Sequence, residues 1–514
     1  MSIEFQNIIK STKGKTLTEE EAAEIYANTT NEYKKWVKEA DFVKFICTNK
    51  ESILWEDYET WGTNPQYDEA SQYAAVRTNM DLEIIDVPLN IFCKPSKFRI
   101  PHPLSVEVTK LSPLHCEKNG LVESEFANII FLEKSVPKTC SSAYNGINFD
   151  TNVSRYLFHR NLLPAYETEF KNGNAVWDIL MVGALYRAIR PDGINWPTND
   201  EGKPSLRLED LCKANGIIQE NPHEALSDVL GLIGFAKLLK SKQPKMWEFM
   251  YRNKSKKEIG NYIKFRSKIY LYCSMFFGNE NLYTKPIIPL MHARNEKNSI
   301  IAIDLTKPID DYLKLTPTEL NKLIYSSKKE LEEKGIDRPP IIKIKLNKCP
   351  AITTAGALNE ESTQRLNINQ KQVLANARKV LSNSAFINKI DEAYTIEKEN
   401  EKPTNPEAQL YGFNFYSKSD TAKIGQILRD GIQFGLKKPV IWEDSRPHEL
   451  LKRIIYKSYP EYLPDTFKSE MEETRKTALY ENNEITPDNY IQESDQITDP
   501  KLKEEYINFV KSML

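Results

Sequence analysis

Apolar and polar positions along this chain change period several times, and each change marks a candidate element. Residues 1–50 carry two short stretches of helical spacing, the first opened by Thr18 and Glu21 as a capping box. From 51 to 245, β-prone runs around 53, around 73, over 84–93 and around 139 alternate with helical spacing over 123–133, 150–161, 175–188, 206–214 and 222–241, an α/β order. Between about 250 and 395 the β-prone runs Lys268–Tyr272, Ile287–Leu290, Ser299–Asp304 and Ile341–Leu346 surround a helical Thr316–Lys334. Glu397–Glu407 is charged and contains prolines, so it reads as a linker, and the remainder of the chain is helical to an acidic and then amphipathic end.

Against that pattern, five residues carry candidate chemistry. Ile53-Leu54-Trp55 is apolar and β-prone, so a strand's two-residue period puts Asp57 and Glu59 on one face, roughly 6–7 Å apart. Asp150 closes a strand-like run, Thr139–Tyr144, and its turn, just before helical spacing begins at Val153. Asn221-Pro222-His223-Glu224 reads as a helix start, with Asn221 at the N-cap, Pro222 at the first position and Glu224 completing a capping box. Asp228 is then the only charge in Ala225–Ala236, a run too apolar for a surface helix, and an unpaired carboxylate there calls for a cation. His223 in the first helical turn faces the positive end of the helix dipole, which favours the neutral, proton-accepting ring. Together the residues suit cleavage of a phosphodiester with two divalent ions, which needs carboxylates to hold the ions and a base for water. Each placement also admits a purely structural account: an exposed strand end for Asp57 and Glu59, a helix N-cap for Asp150, a capping histidine for His223. Acids make up about one residue in seven here, so no single element is specific.

The order Asp-x-Glu, then Asn145-Gly-Ile-Asn-Phe-Asp150, then His-x4-Asp resembles the DEDDh 3'→5' exonucleases. The segments EDYETWGTNP, QYAAVRT, VPKT, RPDGINWP, SLRLEDLCKANGI, NKCP and AQLY are similar to the bacterial exodeoxyribonuclease I family, from about Trp55 to past Pro460. The resemblance implies an α/β RNase H-like catalytic domain with a mixed sheet, an SH3-like β-rich domain and a helical domain, closing over single-stranded DNA. On this chain they fall at 51–245, 246–396 and 397–514, after an N-terminal helical extension over 1–50. The implied activity is 3'→5' hydrolysis of single-stranded DNA to 5'-mononucleotides in DNA repair and recombination. Two Mg²⁺ ions are implied, with Mn²⁺ able to substitute. Asp57 would bridge both ions, Glu59 and Asp228 would hold the one that activates water, Asp150 the one at the leaving 3'-oxygen, and His223 would take the proton. Glu59, Thr60, Trp61, Asn145 and Arg207 are the candidate substrate contacts, with Trp61 stacking on the terminal nucleotide. The acidic tail of a single-stranded DNA-binding protein is the implied partner, and the protein is expected to act as a monomer. Two departures stand out: about fifty residues precede the catalytic strand, and Trp61 stands where the family carries Phe. Alternatives from other classes are a DEDDh exoribonuclease, which would use the same five residues, and a catalytically silent single-strand-binding scaffold.

Composition narrows the picture only slightly. A net charge of −2 excludes a uniformly basic nucleic-acid binder. A local candidate remains: eleven lysines and arginines from Lys237 to Lys268 oppose only Glu248 and Glu258, and the interleaved Trp247, Phe249, Tyr251 and Tyr262 suggest a strand-tracking surface rather than a solvated helix face. Seven scattered cysteines without a CxxC pair read as reduced thiols, and no run of eighteen apolar residues exists, so a cytoplasmic protein without a membrane partner is expected.

Overall fold

A computed structural model of the chain describes residues 12–13, 15, 17–29, 34, 37–48, 50–396 and 402–514. Residues 397–401 of the expected linker lie outside the described residues. The chain folds as two compact units, one from residues 1–175, 219–233 and 401–514, the other from 176–218 and 234–400. These units cut across the linear boundary expected at 245.

The first unit is built on β1 (Ser52–Thr60), β2 (Ala70–Thr78), β3 (Leu89–Phe92) and β4 (Thr139–Ala143), in the order β3-β2-β1-β4. β2 runs antiparallel to β1 and β3, whereas β4 is parallel to β1, so the sheet is mixed. A parallel neighbour requires a crossover, which the helix Glu123–Ser135 supplies. Leu54 and Tyr58 of β1, with Tyr73 and Ile91, pack against Phe126, Ile130, Val153, Leu157 and Phe158 of the helices Glu123–Ser135 and Asp150–Arg160. The opposite face of β1 carries Asp57 and Glu59. The strand expected over 84–93 shortens to β3, because Pro88 has no N–H to give to a ladder. Ile84, Ile85 and Val87 turn instead to the N-terminal extension. There the helices Glu19–Ala27, with its Thr18/Glu21 capping box, and Glu39–Thr48 bury Ala22, Tyr26, Phe42, Phe45 and Ile46 against Ile85 and Val136. The extension is thus part of the first unit's core, and Lys13 pairs with the buried Asp86 and Glu133.

The chain passes to the second unit at β5 (Ala175–Asp178), followed by the helix Ile179–Ile189, so the helix expected from 175 starts four residues later, capped by Asp178. This unit contains an antiparallel sheet of β6 (Tyr270–Cys273), β7 (Thr284–His292), β8 (Ser299–Asp304), β9 (Ile341–Lys345) and β10 (Ile352–Thr354), ordered β10-β6-β7-β8-β9. The helix expected over Thr316–Lys334 is two, Pro317–Tyr325 and Lys328–Glu333, because Ser327 caps the second. The helices Gln370–Ser382 and Ser384–Ala393 pack Val373, Val380, Phe386 and Ile390 onto Ile288, Ile301 and Ile303 of the sheet. The C-terminal segment is helical as expected and belongs to the first unit.

Candidate active site

The acidic site begins with the pleat of β1. Alternate residues 56, 58 and 60 are buried while Asp57 and Glu59 are half-buried on the other face. The helix Ala225–Lys242 brings Asp228 to them, and one ligand oxygen from each of Asp57, Glu59 and Asp228 lies within 4.8 Å of the others. Asp228 is held by Gln219 Nε2, which donates to its Oδ1 at 2.6 Å, and by the His223 backbone N–H at 3.2 Å. Asp150 is the first residue of the helix Asp150–Arg160 and is 4% exposed; its Oδ1 accepts the Tyr58 N–H at 3.1 Å. The turn before it needs Gly146, since a Cβ there would come within 2.3 Å of the Ala143 Cβ and 3.2 Å of Asp150 Oδ2.

These carboxylates resist simultaneous ionisation. Burial, followed by the charges of Asp150, Glu59 and Asp228, pushes Asp57 well above the usual carboxylate range. Burial and the Asp228 and Asp150 carboxylates raise Glu59 to about 8. Burial and Glu56 raise Asp150 to about 7, against the lowering pull of backbone N–H groups and Lys134. Burial raises Asp228, opposed by its bonds from Gln219 and the His223 backbone. A cluster of oxygen donors that repel one another is relieved by a hard divalent cation, and carboxylate oxygen is the donor such ions prefer. The residues present fit the implied ions.

Several expectations are corrected. The helix does not start at Asn221: its first residue is Ala225, and Glu224 accepts the Ser227 N–H at 3.1 Å as the cap. His223 is therefore outside the helix, in an exposed loop with φ +67°, and the first-turn dipole argument for it does not apply. Trp61 is 5% exposed in a core cluster with Ile100, Val106, Leu479, Tyr506 and Phe509, so its ring is a buried part of the fold and not an exposed stacking surface. Thr60 is buried, its hydroxyl donating to Gly62 O at 2.6 Å. Asn145 is exposed in the turn ahead of Asp150 with φ +64°. Arg207 is an exposed residue at the start of the helix Leu208–Ala214 in the second unit. In the basic run most of the cations are exposed, but Trp247 is buried edge-on to Trp177 at 4.7 Å and Phe249 packs on Tyr262 at 5.1 Å, so these rings serve the fold. Gln219, Glu56 and Lys134 escaped the sequence reading. Lys134 donates to both oxygens of Glu56 at 2.5 and 2.7 Å and to Ser154 Oγ, beneath β1. Glu56 did stand one residue out of phase with Asp57 in an otherwise apolar run, a signal for a buried pair.

Residues 54–234 match the family model described as Exonuclease, and residues 254–396 match that of the Exonuclease I SH3-like domain. Exodeoxyribonuclease I of Haemophilus influenzae is 37% identical over 397 residues, 77% of this chain and 84% of the relative. That of Escherichia coli is 33% identical over 410 residues, covering 80% and 86%. The crystal structure of E. coli Exonuclease I with a dA16 oligonucleotide superposes with a TM-score of 0.84 at 29% identity, over 90% of this chain and 100% of that one. An ExoI/SSB-Ct complex superposes at 0.82, with 29% identity and the same coverage. Among the described residues no helix is long and apolar enough to cross a membrane.

Proposed function

Because the chain belongs to the exodeoxyribonuclease I family and is a DNA exonuclease, we propose that it degrades single-stranded DNA from the 3' end, releasing 5'-mononucleotides, with two divalent ions held by Asp57, Glu59, Asp150 and Asp228. The observation that carries this reading is the convergence of Asp57, Glu59 and Asp228 within 4.8 Å, beside a buried fourth acid, Asp150, whose charge opposes the ionisation of Asp57 and Glu59. When bound, the ions activate a water for attack and neutralise charge on the leaving 3'-oxygen. Asp57, central in the charge coupling, would be shared between the ions, with Glu59 and Asp228 holding the one that supplies the activated water and Asp150 the one that offsets charge on the leaving oxygen. His223 accepts the proton of the attacking water, its exposed loop leaving the imidazole free to reach it. Thr60 and Asn145 flank the ligands and support the terminal nucleotide through backbone and side-chain polar groups.

The relatives solved with DNA oligonucleotides and with SSB-Ct support single-stranded DNA as substrate and the tail of a single-stranded DNA-binding protein as partner; DNA repair is the setting that the family resemblance implies. Mg²⁺ is the expected ion and Mn²⁺ its substitute; a zinc-bound form of the E. coli enzyme with single-stranded DNA supports a divalent metal as the cofactor. The test is digestion of end-labelled single-stranded DNA and RNA of matched sequence, in chelator, Mg²⁺ or Mn²⁺. Mononucleotides should appear from the DNA 3' end only with a divalent ion. Full activity in excess chelator, or equal turnover of RNA, would overturn the proposal.

A further inference from the structure

Glu224 is an acid beside the acidic cluster, yet it is absent from the group of carboxylates close enough to share a cation. Both its oxygens are already used. Oε2 accepts the Ser227 N–H at 3.1 Å, which caps the helix carrying Asp228. Oε1 accepts from two side-chain amides of the sheet, Gln72 Nε2 at 3.2 Å and Asn90 Nδ2 at 3.1 Å, and Gln72 Nε2 also donates to Asn90 Oδ1 at 2.8 Å. Gln72 is 1% exposed and lies directly across from Glu59, in the β2 strand that pairs with β1. A cap needs one oxygen; the second, with two amide donors on a carboxylate, does something else.

We infer that Gln72, Asn90 and Glu224 form a tether that positions His223 over the acidic cluster, an inference that rests on the reading of His223 as the general base. The loop it holds has a reason to drift. His223 takes a left-handed backbone conformation, φ +67°, which is unfavourable for a residue with a Cβ and persists only under restraint from its surroundings. Three contacts supply that restraint: the His223 N–H on Asp228 Oδ1 at 3.2 Å, the Asn221 N–H on Ser227 Oγ at 3.0 Å, and the Glu224 carboxylate pinned to β2 and β3. Of these, the last fixes the loop to the strand layer that carries Glu59. Gln72, Asn90 and Glu224 are positioning residues that act through His223 and touch neither substrate nor ion.

The experiment is a cycle in the full-length protein. Gln72→Ala, Asn90→Ala and the pair are made with His223 present and in a His223→Ala background, with single-turnover rates on single-stranded DNA at saturating Mg²⁺, Mn²⁺ titration by electron paramagnetic resonance, and amide exchange of the peptide spanning 219–227. The pair should slow single turnover about tenfold or more when His223 is present, the effect of losing charge-assisted hydrogen bonds. In the His223→Ala background it should slow it less than about twofold further, because a tether acting through the imidazole has nothing left to position. Mn²⁺ affinity should hold while exchange over 221–224 quickens. An equal loss in both backgrounds means the three residues serve Asp228 or the fold, and overturns the inference, as does an undiminished rate in the pair. Wild-type turnover by His223→Ala alone sinks the base assignment instead; unchanged exchange over 221–224 in the pair sinks the tether itself.

Discussion

Chelation of divalent ions at pH 8 should cost this protein several kcal/mol of stability, recovered by adding Mg²⁺ or by lowering the pH to 5. Glu59 rises from 4.5 to about 8 and Asp150 from 3.8 to about 7, roughly three units each, and Asp57 and Asp228 rise as well. At about 1.4 kcal/mol per unit each shift is worth about 4 kcal/mol. The Asp150 charge is itself among the causes that raise Glu59, so the two shifts are not independent and about 4–6 kcal/mol is the magnitude for the group together. The folded-state values lie above the unfolded ones, so between about pH 4 and pH 8 the folded protein binds more protons than the unfolded chain. Its stability therefore falls as pH rises through that window, the cost being absent below it. Bound Mg²⁺ supplies the missing counter-charge and binds only the folded state, so it removes the slope. At roughly 1.5–2 °C per kcal/mol for a unit of about 300 residues, the chelated protein should melt at least about 6 °C lower at pH 8 than with Mg²⁺. Differential scanning calorimetry at pH 5 and pH 8, with chelator or Mg²⁺, reads this directly. Glu59→Gln, which removes one of the repelling charges, should raise the chelated melt at pH 8. A chelated wild type that melts equally high at pH 8 with and without Mg²⁺, or a Glu59→Gln variant no more stable than it, would refute the repelling cluster.

Three further outcomes are expected. Asp57→Asn and Asp228→Asn each remove a carboxylate from the convergent group, so turnover should fall by at least about 10³-fold while equilibrium binding of a single strand, measured by fluorescence anisotropy, persists through phosphate contacts elsewhere; wild-type cleavage by either would show the site is misplaced. His223→Ala should lose about 10²–10⁴-fold in single-turnover rate with an unchanged melt, since the side chain is exposed; a lowered melt with near-normal turnover would make it structural. Trp61→Ala should destabilise the fold by about 3–5 kcal/mol, because it empties a ring-sized volume in the cluster with Tyr506 and Phe509. Trp61→Phe should be mild, and a Trp61→Ala protein with a normal melt but weakened DNA binding would restore the stacking role.

The pairing of Asp57 with Glu59 could be read from the sequence because it is local: a strand's period of two is a property of the backbone, and the apolar residues before it announce the strand. Asp228 was legible for a related reason, as a lone charge in an apolar helix. The helix over 150–160, the strand near 139 and the four β-prone runs of the second unit follow from short-range pattern alone. Other features depended on partners far away in sequence. Trp61 reads as an open aromatic beside the ligands until the helix Pro500–Met513 is laid against it. Trp247 and Phe249 read as a stacking platform among lysines until Trp177 and Tyr262 pack against them. Asn221-Pro222 carries the chemistry of a helix start, but the helix begins at Ala225, because Glu224 is anchored by Gln72 and Asn90 from two other strands and caps the helix itself. Periodicity and capping chemistry act over a few residues; side-chain burial and loop anchoring are set by whichever distant surface arrives, and one chain's local pattern does not record it.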